Sequence, residues 1–499
     1  MNYRSICLAS LALTTAHAGP IPIHAEADLV LGQMSYTSST LLIPPTASSL
    51  NVPTSVVVDP VTRKVFVADG ANIRILRYAS ADSLASGATA EAVFGQLLFT
   101  TTTTFPNSAP DGLGSSAQVL FLDTQNRLWV TDGFANRVLM FENATTRVST
   151  RTADKVFGQP DLTKSTFGIT GITTASSMGN PADVCVDAAD RLWVADNYNN
   201  RVLRFDHISA KASGAAADAV LGQTDLISRD MIDTAAGIGS PLGVAIGANG
   251  ALYVTCHRQH RVLRFDDPAS PTRPNKNANA VFGQPDFTTI TPGLSAVKME
   301  GPFGAWITAD YSLWVTDYYN NRLLRFSNAS TATVGAAADG LLGQSSFVIP
   351  TAFRTQRGLT LPYSKPFVDG KGALWIADRG NYRVLRFPAP ADVVVPPVVP
   401  PVVPPVVVVD KTLPLLMLST KIPKLVTKAS LILKGTASDT SGIKSVQYRL
   451  GRGPLKLATG TTNWSFKLPL KKGLNAVTLT ATDTARNVSA SKVIKIKRK

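Results

Sequence analysis

Only 3 cysteines and 5 histidines occur among the 499 residues. Cys7 falls in the N-terminal leader, too early to read as a lipid-attachment cysteine, which leaves two in the body of the chain. That scarcity excludes a disulfide scaffold. Cys185 and Cys256 lie in different repeats, and sequence does not fix their separation, so a single disulfide between them stays open. Charged residues make up 17%, a level that points to strands and uncharged polar loops rather than charged helices. Long apolar runs are also missing. Ile6 to Leu13 is far short of the ~20 residues that span a bilayer, and Val393 to Val409 is broken by proline pairs, so no transmembrane segment is expected. The chain has no nucleophile elbow, phosphate-binding glycine loop or paired His/carboxylate motif. It also has no motif for sequence-specific nucleic-acid reading.

Residues that are present fix a compartment and a charge layout. Arg4, the apolar stretch Ile6–Leu13 and Ala16-His17-Ala18 form the three parts of an export signal ending at Ala18. A secreted or extracytoplasmic protein (periplasm or cell surface) is therefore expected. The net charge is +15, and its placement is uneven. Residues 410–499 carry 18 Lys and Arg against 3 Asp and Glu, while the rest of the chain balances. Hydrophobic residues, at 44%, can fill a sizeable core.

One phrase recurs six times, from Phe66-Val-Ala-Asp69 with Arg74, through Leu192-Trp-Val-Ala-Asp196 with Arg201, to Leu374-Trp-Ile-Ala-Asp378 with Arg383. Its arginines, Arg74, Arg137, Arg201, Arg261, Arg322 and Arg383, are 60 to 64 residues apart. A second phrase, Val30-Leu-Gly-Gln33 and its copies ending at Gln96, Gln159, Gln223, Gln284 and Gln344, also occurs six times. Each unit reads as four short antiparallel strands, apolar on both faces of the second, which neighbouring blades around an axis would cover. The first Gly-Gln phrase precedes any complete repeat, and the sixth repeat stops at Phe387 without one. The Val30 strand therefore completes the last blade of an all-β, six-bladed β-propeller over residues 19–388.

The wording, with Asp196-Asn-Tyr-Asn-Asn-Arg201 and Asp317-Tyr-Tyr-Asn-Asn-Arg322 as its best copies, resembles NHL repeats over roughly residues 28 to 388. That resemblance implies the propeller fold and leaves activity open, because such propellers include protein- and RNA-binding modules, extracellular sensors and a few lyases. Residues 389–409 read as a stiff Pro/Val-rich spacer. Residues 410–499 alternate as strands, and Asn475 to Asp483 with Arg486-Asn487 resembles the closing strands of bacterial immunoglobulin-like domains. A basic β-sandwich is expected there, suited to an anionic surface or matrix polymer.

The pairs Asp69/Arg74, Asp132/Arg137, Asp196/Arg201, Asp317/Arg322 and Asp378/Arg383 recur too often for catalysis, so they read as turn-stabilising, together with Arg261. Blade four departs from the rule with Cys256-His257-Arg258-Gln259-His260-Arg261. Cys256, His257 and His260 are of types that ligate a transition metal, although His24 and His207, the other ring histidines, lie in no equivalent turn. Lyases of this family draw histidines from several blades to one axis, which this sequence does not repeat. A calcium ion held by channel carbonyls would leave no trace in the sequence, and no cofactor is otherwise expected. The rim loops carry Phe134, Tyr198, Asn199, Tyr318, Tyr319, Asn320, Arg379, Asn381 and Tyr382, a composition suited to protein or glycan contacts. The expected function is thus a non-catalytic, monomeric binding or scaffold protein whose rim takes a protein or carbohydrate. The alternative is a propeller lyase or hydrolase with a metal at the rim or channel.

Overall fold

The computed structural model describes residues 21–101, 112–114, 119–164, 173–269, 276–389, 412–485 and 487–499. The expected export signal, nearly all of the Pro/Val spacer, and Arg486 lie outside the described residues. The chain divides near residue 398 into two compact units. Both are all-β, with no α-helix among the described residues, and no described helix is long and apolar enough to cross a membrane.

The first unit is a six-bladed propeller of four-stranded antiparallel sheets. Blade three shows the plan, with strands Pro181–Val186, Leu192–Asp196, Arg201–Phe205 and Ala219–Leu221 paired in sequence order. Its second strand, Leu-Trp-Val-Ala-Asp, is buried on both faces. The matching tryptophans Trp129, Trp193, Trp314 and Trp375 are fully enclosed between blades, where each buried Leu or Val beside them contributes about 1.5–3 kcal/mol. Blade six takes three strands from the end of the ring, Pro362–Val368, Leu374–Asp378 and Arg383–Phe387. Its fourth is Leu29–Leu31, with Leu29 opposite Arg386 and Leu31 opposite Val384. The two ends of the ring are thus joined by backbone hydrogen bonds. First strands of successive blades pack on one another around the axis, the sixth against the first.

Each Gly-Gln phrase fastens the outer strand to the turn of its own blade. Gln284 donates from Nε2 to the carbonyls of His260 at 3.1 Å and Thr291 at 2.9 Å. Gln344 does the same to Asn321 and Thr351. Blades are also tied to their neighbours. Arg264 reaches from blade four to the carbonyls of Ala329 and Ala332 in blade five. In blade two, where Met140 replaces that arginine, Lys155 instead reaches the carbonyls of Ser209 and Lys211.

The second unit is a two-sheet β-sandwich. One sheet contains Leu415–Leu418, Ser430–Ser438 and Asn463–Pro469; the other contains Lys456–Leu457, Ile443–Leu450, Gly473–Asp483 and Lys492–Arg498. Period-two alternation directs Leu433, Val446, Trp464, Leu468, Val477, Leu479 and Ile496 into its core. The opposite positions leave Lys434, Arg449, Lys467, Lys495 and Lys497 exposed.

Candidate functional site at the mouth of the axis

In every blade but the fifth, second and third strands are joined by a single 3-10 turn, seen at Asn197–Asn199 in blade three; blade five has a plain turn there. Asp196 precedes this turn and Arg201 follows it. The Arg201 Nε donates to Asp196 at 2.6 Å, and its Nη2 donates to the carbonyls of Thr174 and Ser177. The same carboxylate accepts from the Gly179 backbone N–H at 2.6 Å and from the Asn199 amide at 2.9 Å. The ion pair recurs at Asp69/Arg74, Asp132/Arg137, Asp317/Arg322 and Asp378/Arg383, with every side chain essentially inaccessible. Asn320 and Asn381 likewise donate to Asp317 at 2.9 Å and Asp378 at 2.8 Å. Of the residues expected at the rim, Asn199, Asn320 and Asn381 are thus buried, with their amides engaged inside the turn.

Blade four fulfils the same hydrogen-bond pattern with other atoms. Cys256 occupies the Asp position, opposite Arg261, and its buried Sγ lies 3.8 Å from the Val254 carbonyl, with the Gly239 N–H and Arg261 also beside it. Gln259, at the Asn position, accepts from the Gly239 N–H at 2.9 Å and from Arg261 at 3.1 Å. His260 accepts the Gly301 N–H on Nδ1 at 3.0 Å. Asn136, Asn200 and Asn321 each accept an equivalent backbone N–H on Oδ1. His257 points elsewhere, its ring 4.9 Å from Phe303 and 5.8 Å from Tyr319. Cys256, His257 and His260 therefore do not converge, and among the described residues no three His, Cys, Asp or Glu side chains are placed to hold a metal ion. Cys185 and Cys256 are both buried and unpaired. Burial lowers the pKa of His257, and also that of His260, where Glu300 opposes the shift.

The face carrying these turns is also where the first strands begin, since Pro181 pairs with Asp196 and Pro241 with Cys256. Around the axis on this face, blades four to six assemble a continuous aromatic cup. Phe303 lies 4.3 Å from Tyr318 and 4.5 Å from Tyr363, and Tyr318 lies 4.9 Å from Tyr319. Arg379 covers the Tyr363 ring at 5.1 Å and donates from Nη1 to the Tyr318 hydroxyl at 3.2 Å. Burial pushes the Tyr363 phenol up to about 12; Arg379 opposes this, and the Tyr318 and Tyr198 phenols reinforce it. Tyr319 is 50% exposed and Tyr198 39%, which leaves open ring faces at the lip. Phe134, 47% exposed, sits on blade two outside this cluster. Tyr382 is half-buried at φ 55°, where its carbonyl accepts from Gln33.

Below the cup the axis is blocked. Lys365 of blade six meets Asp183 of blade three, directly across the ring, at 2.7 Å, and both side chains are 1% exposed. The ammonium also donates to the Val184 carbonyl and lies 5.2 Å from the Phe121 ring. Pro362–Val368 is one residue longer than the first strands of blades one, three, four and five, and Ser364, Lys365 and Pro366 bulge opposite Ile376. Gly304 makes room for that bulge: a Cβ there would sit 2.2 Å from the Lys365 backbone nitrogen. A cavity of about 30 Å³ remains above the plug, lined by Asn180, Ala182, Leu242, Phe303, Tyr363 and Ser364. Phe303, Tyr363, Ser364, Lys365 and Asp183 were not singled out in the sequence. Their signals were the variable residue after each strand-leading proline and an opposed charge pair three repeats apart.

Residues 178–205, in blade three, match the family model of the NHL repeat. No protein of curated function matches the chain. Among solved structures the chain is similar to virginiamycin B lyase from Staphylococcus aureus. That likeness has 14% identity over 68% of this chain and 96% of that one, with a TM-score of 0.39. It is also similar to the calcium-binding protein regucalcin from Agrobacterium tumefaciens, at 10% identity over 70% and 95%, with a TM-score of 0.37. Likeness at this level carries nothing about activity, metal or substrate.

Proposed function

We propose that this is an exported, non-catalytic recognition protein whose ring binds a protein or carbohydrate partner at the aromatic cup. The observation that carries the reading is the cup itself. Blades four, five and six bring Tyr318, Tyr319, Phe303, Tyr363, His257 and Arg379 together at a mouth that ends blindly on the Lys365–Asp183 pair. Aromatic rings and arginine in a partly desolvated site are the residue types that dominate recognition energetics. The C-terminal sandwich is read as a bacterial immunoglobulin-like module. Its exposed Lys434, Arg449, Lys467, Lys495 and Lys497 would engage an anionic surface polymer through a salt-sensitive attraction.

The test compares the full-length protein with its Tyr198→Ala/Tyr319→Ala variant on immobilised glycans and peptides. Ligands captured by the first and lost by the second support the reading. Ligands retained by both place binding elsewhere, and chemical conversion of any captured ligand overturns the non-catalytic part.

A further inference from the structure

Three polar atoms at the cup make no hydrogen bond within the protein: His257 Nδ1, Ser364 Oγ and Arg379 Nε, of which the last two bear on the ligand. Ser364 is 2% exposed, it lines the cavity, and its Oγ makes no hydrogen bond. Its backbone sits at φ 61°, a region that non-glycine residues occupy only where the surrounding structure holds them. The neighbouring contact does hold it, because the Ser364 carbonyl accepts the Thr316 hydroxyl at 2.7 Å. Arg379 is the second case: its buried Nε is also without a hydrogen bond. Native proteins leave few such groups unmatched, so each calls for an explanation. Among the described residues no carboxylate forms an ion pair with Arg379, since Asp196, Asp317 and Asp378 are engaged by the turn arginines.

We propose that the cup binds a carboxylate-bearing pyranose, a uronic acid residue of an oligosaccharide. The proposal rests on the recognition reading above and names its ligand class. Arg379 lies over Tyr363 and is fixed by the Tyr318 hydroxyl, which leaves its remaining N–H groups for a planar carboxylate. The cavity of about 30 Å³ has room for about two water-sized groups, the size of a carboxylate or hydroxyl and too small for an apolar side chain. Ser364 Oγ meets a sugar hydroxyl there. The open faces of Tyr319 and the neutral His257 ring cover the C–H face of the pyranose. An acidic peptide side chain reaches Arg379 on a thin stem and leaves those ring faces uncovered, which favours the sugar.

The experiment is calorimetric titration of the full-length protein with galacturonate, glucuronate and mannuronate oligosaccharides, each beside its methyl ester, and with an acidic peptide. At least one uronate is expected to bind, with its ester weaker by about tenfold or more, as loss of a charge-assisted pair implies. Arg379→Ala is expected to weaken the acid about tenfold and leave the ester unchanged. Ser364→Gly, which relieves the positive φ and keeps the fold, weakens both by about three- to fivefold through one lost hydrogen bond. Lys495→Glu/Lys497→Glu leaves this binding intact. Binding that ignores Arg379→Ala, or that disappears with the tail substitutions, overturns the proposal. So does an ester that binds as well as its acid, or a panel in which no uronate binds. If only the acidic peptide binds, and Tyr319→Ala abolishes it, the uronate class fails while the recognition reading survives.

Discussion

Blades four and five build one turn from two sets of atoms. In blade five, Asp317 accepts the Glu300 N–H and the Arg322 guanidinium, each at 2.7 Å, while Asn320 steadies the carboxylate. In blade four the carboxylate is gone and Gln259 takes both hydrogen bonds, reaching from the Asn position to do so. The left-handed residue that ends the turn is unchanged, at φ 51° for His260 and 54° for Asn321, although the corner is a 3-10 turn in blade four and a plain turn in blade five. What the fold requires at this corner is an acceptor for two donors, and either an acid or an amide supplies it. The difference shows in the arginine. Arg322 is ion-paired through Nε, whereas the Nε of Arg261, equally buried, has no partner.

The comparison can be broken most severely in blade five. Asp317→Ala leaves Arg322 as an unpaired buried charge and is expected to destabilise the ring by about 3–5 kcal/mol, read from the chemical-denaturation midpoint. Gln259→Ala in blade four removes a neutral acceptor instead, so the expected loss is about 1–3 kcal/mol; an effect as large as that of Asp317→Ala would contradict the substitution described above. Restoring the consensus with Cys256→Asp/Gln259→Asn gives Arg261 its carboxylate and is expected to raise stability by about 1 kcal/mol, read as a higher midpoint. A lower midpoint would mean that blade four has repacked around the thiol. The smallest effect concerns pH. His260 must be neutral at Nδ1 to accept from Gly301, and its folded pKa is lowered below the ordinary value of about 6.5. Below that value the unfolded chain binds more protons, so stability falls as pH drops and recovers as pH rises through this window. His260→Asn keeps the acceptor and should flatten that part of the melting-temperature profile between pH 5 and 7.5.

Much of this architecture was legible because a propeller repeats its requirements. Six copies of Leu-Trp-Val-x-Asp and Arg-Val-Leu, with Gly-Gln phrases out of phase by one strand, specify four strands per blade and closure by the Val30 strand. The candidate site was legible only in part. Tyr198, Tyr318, Tyr319 and Arg379 stand in the turns and drew notice by type. Asn199, Asn320 and Asn381 drew equal notice, yet they face inward, because one turn residue in each of these blades must donate to the aspartate. The blade-four residues suggested a metal for a related reason: sequence adjacency on a tight turn does not mean that side chains point the same way. Cys256 faces the core, His260 the next strand's N–H, and His257 the aromatic cup.

The sequence by itself determined the strands, their order and the joining of the ring, since these follow from periodicity and repeated local hydrogen-bond needs. It also determined that the positive charge collects in the last 90 residues. Only the tertiary structure decided what stands at the axis. Lys365 and Asp183 are 182 residues apart and become partners because blades three and six face each other across six-fold closure. Phe303, Tyr318 and Tyr363 become one cup because first strands converge as they reach the mouth. Such contacts depend on the radius and phase of the closed ring, which no single repeat encodes.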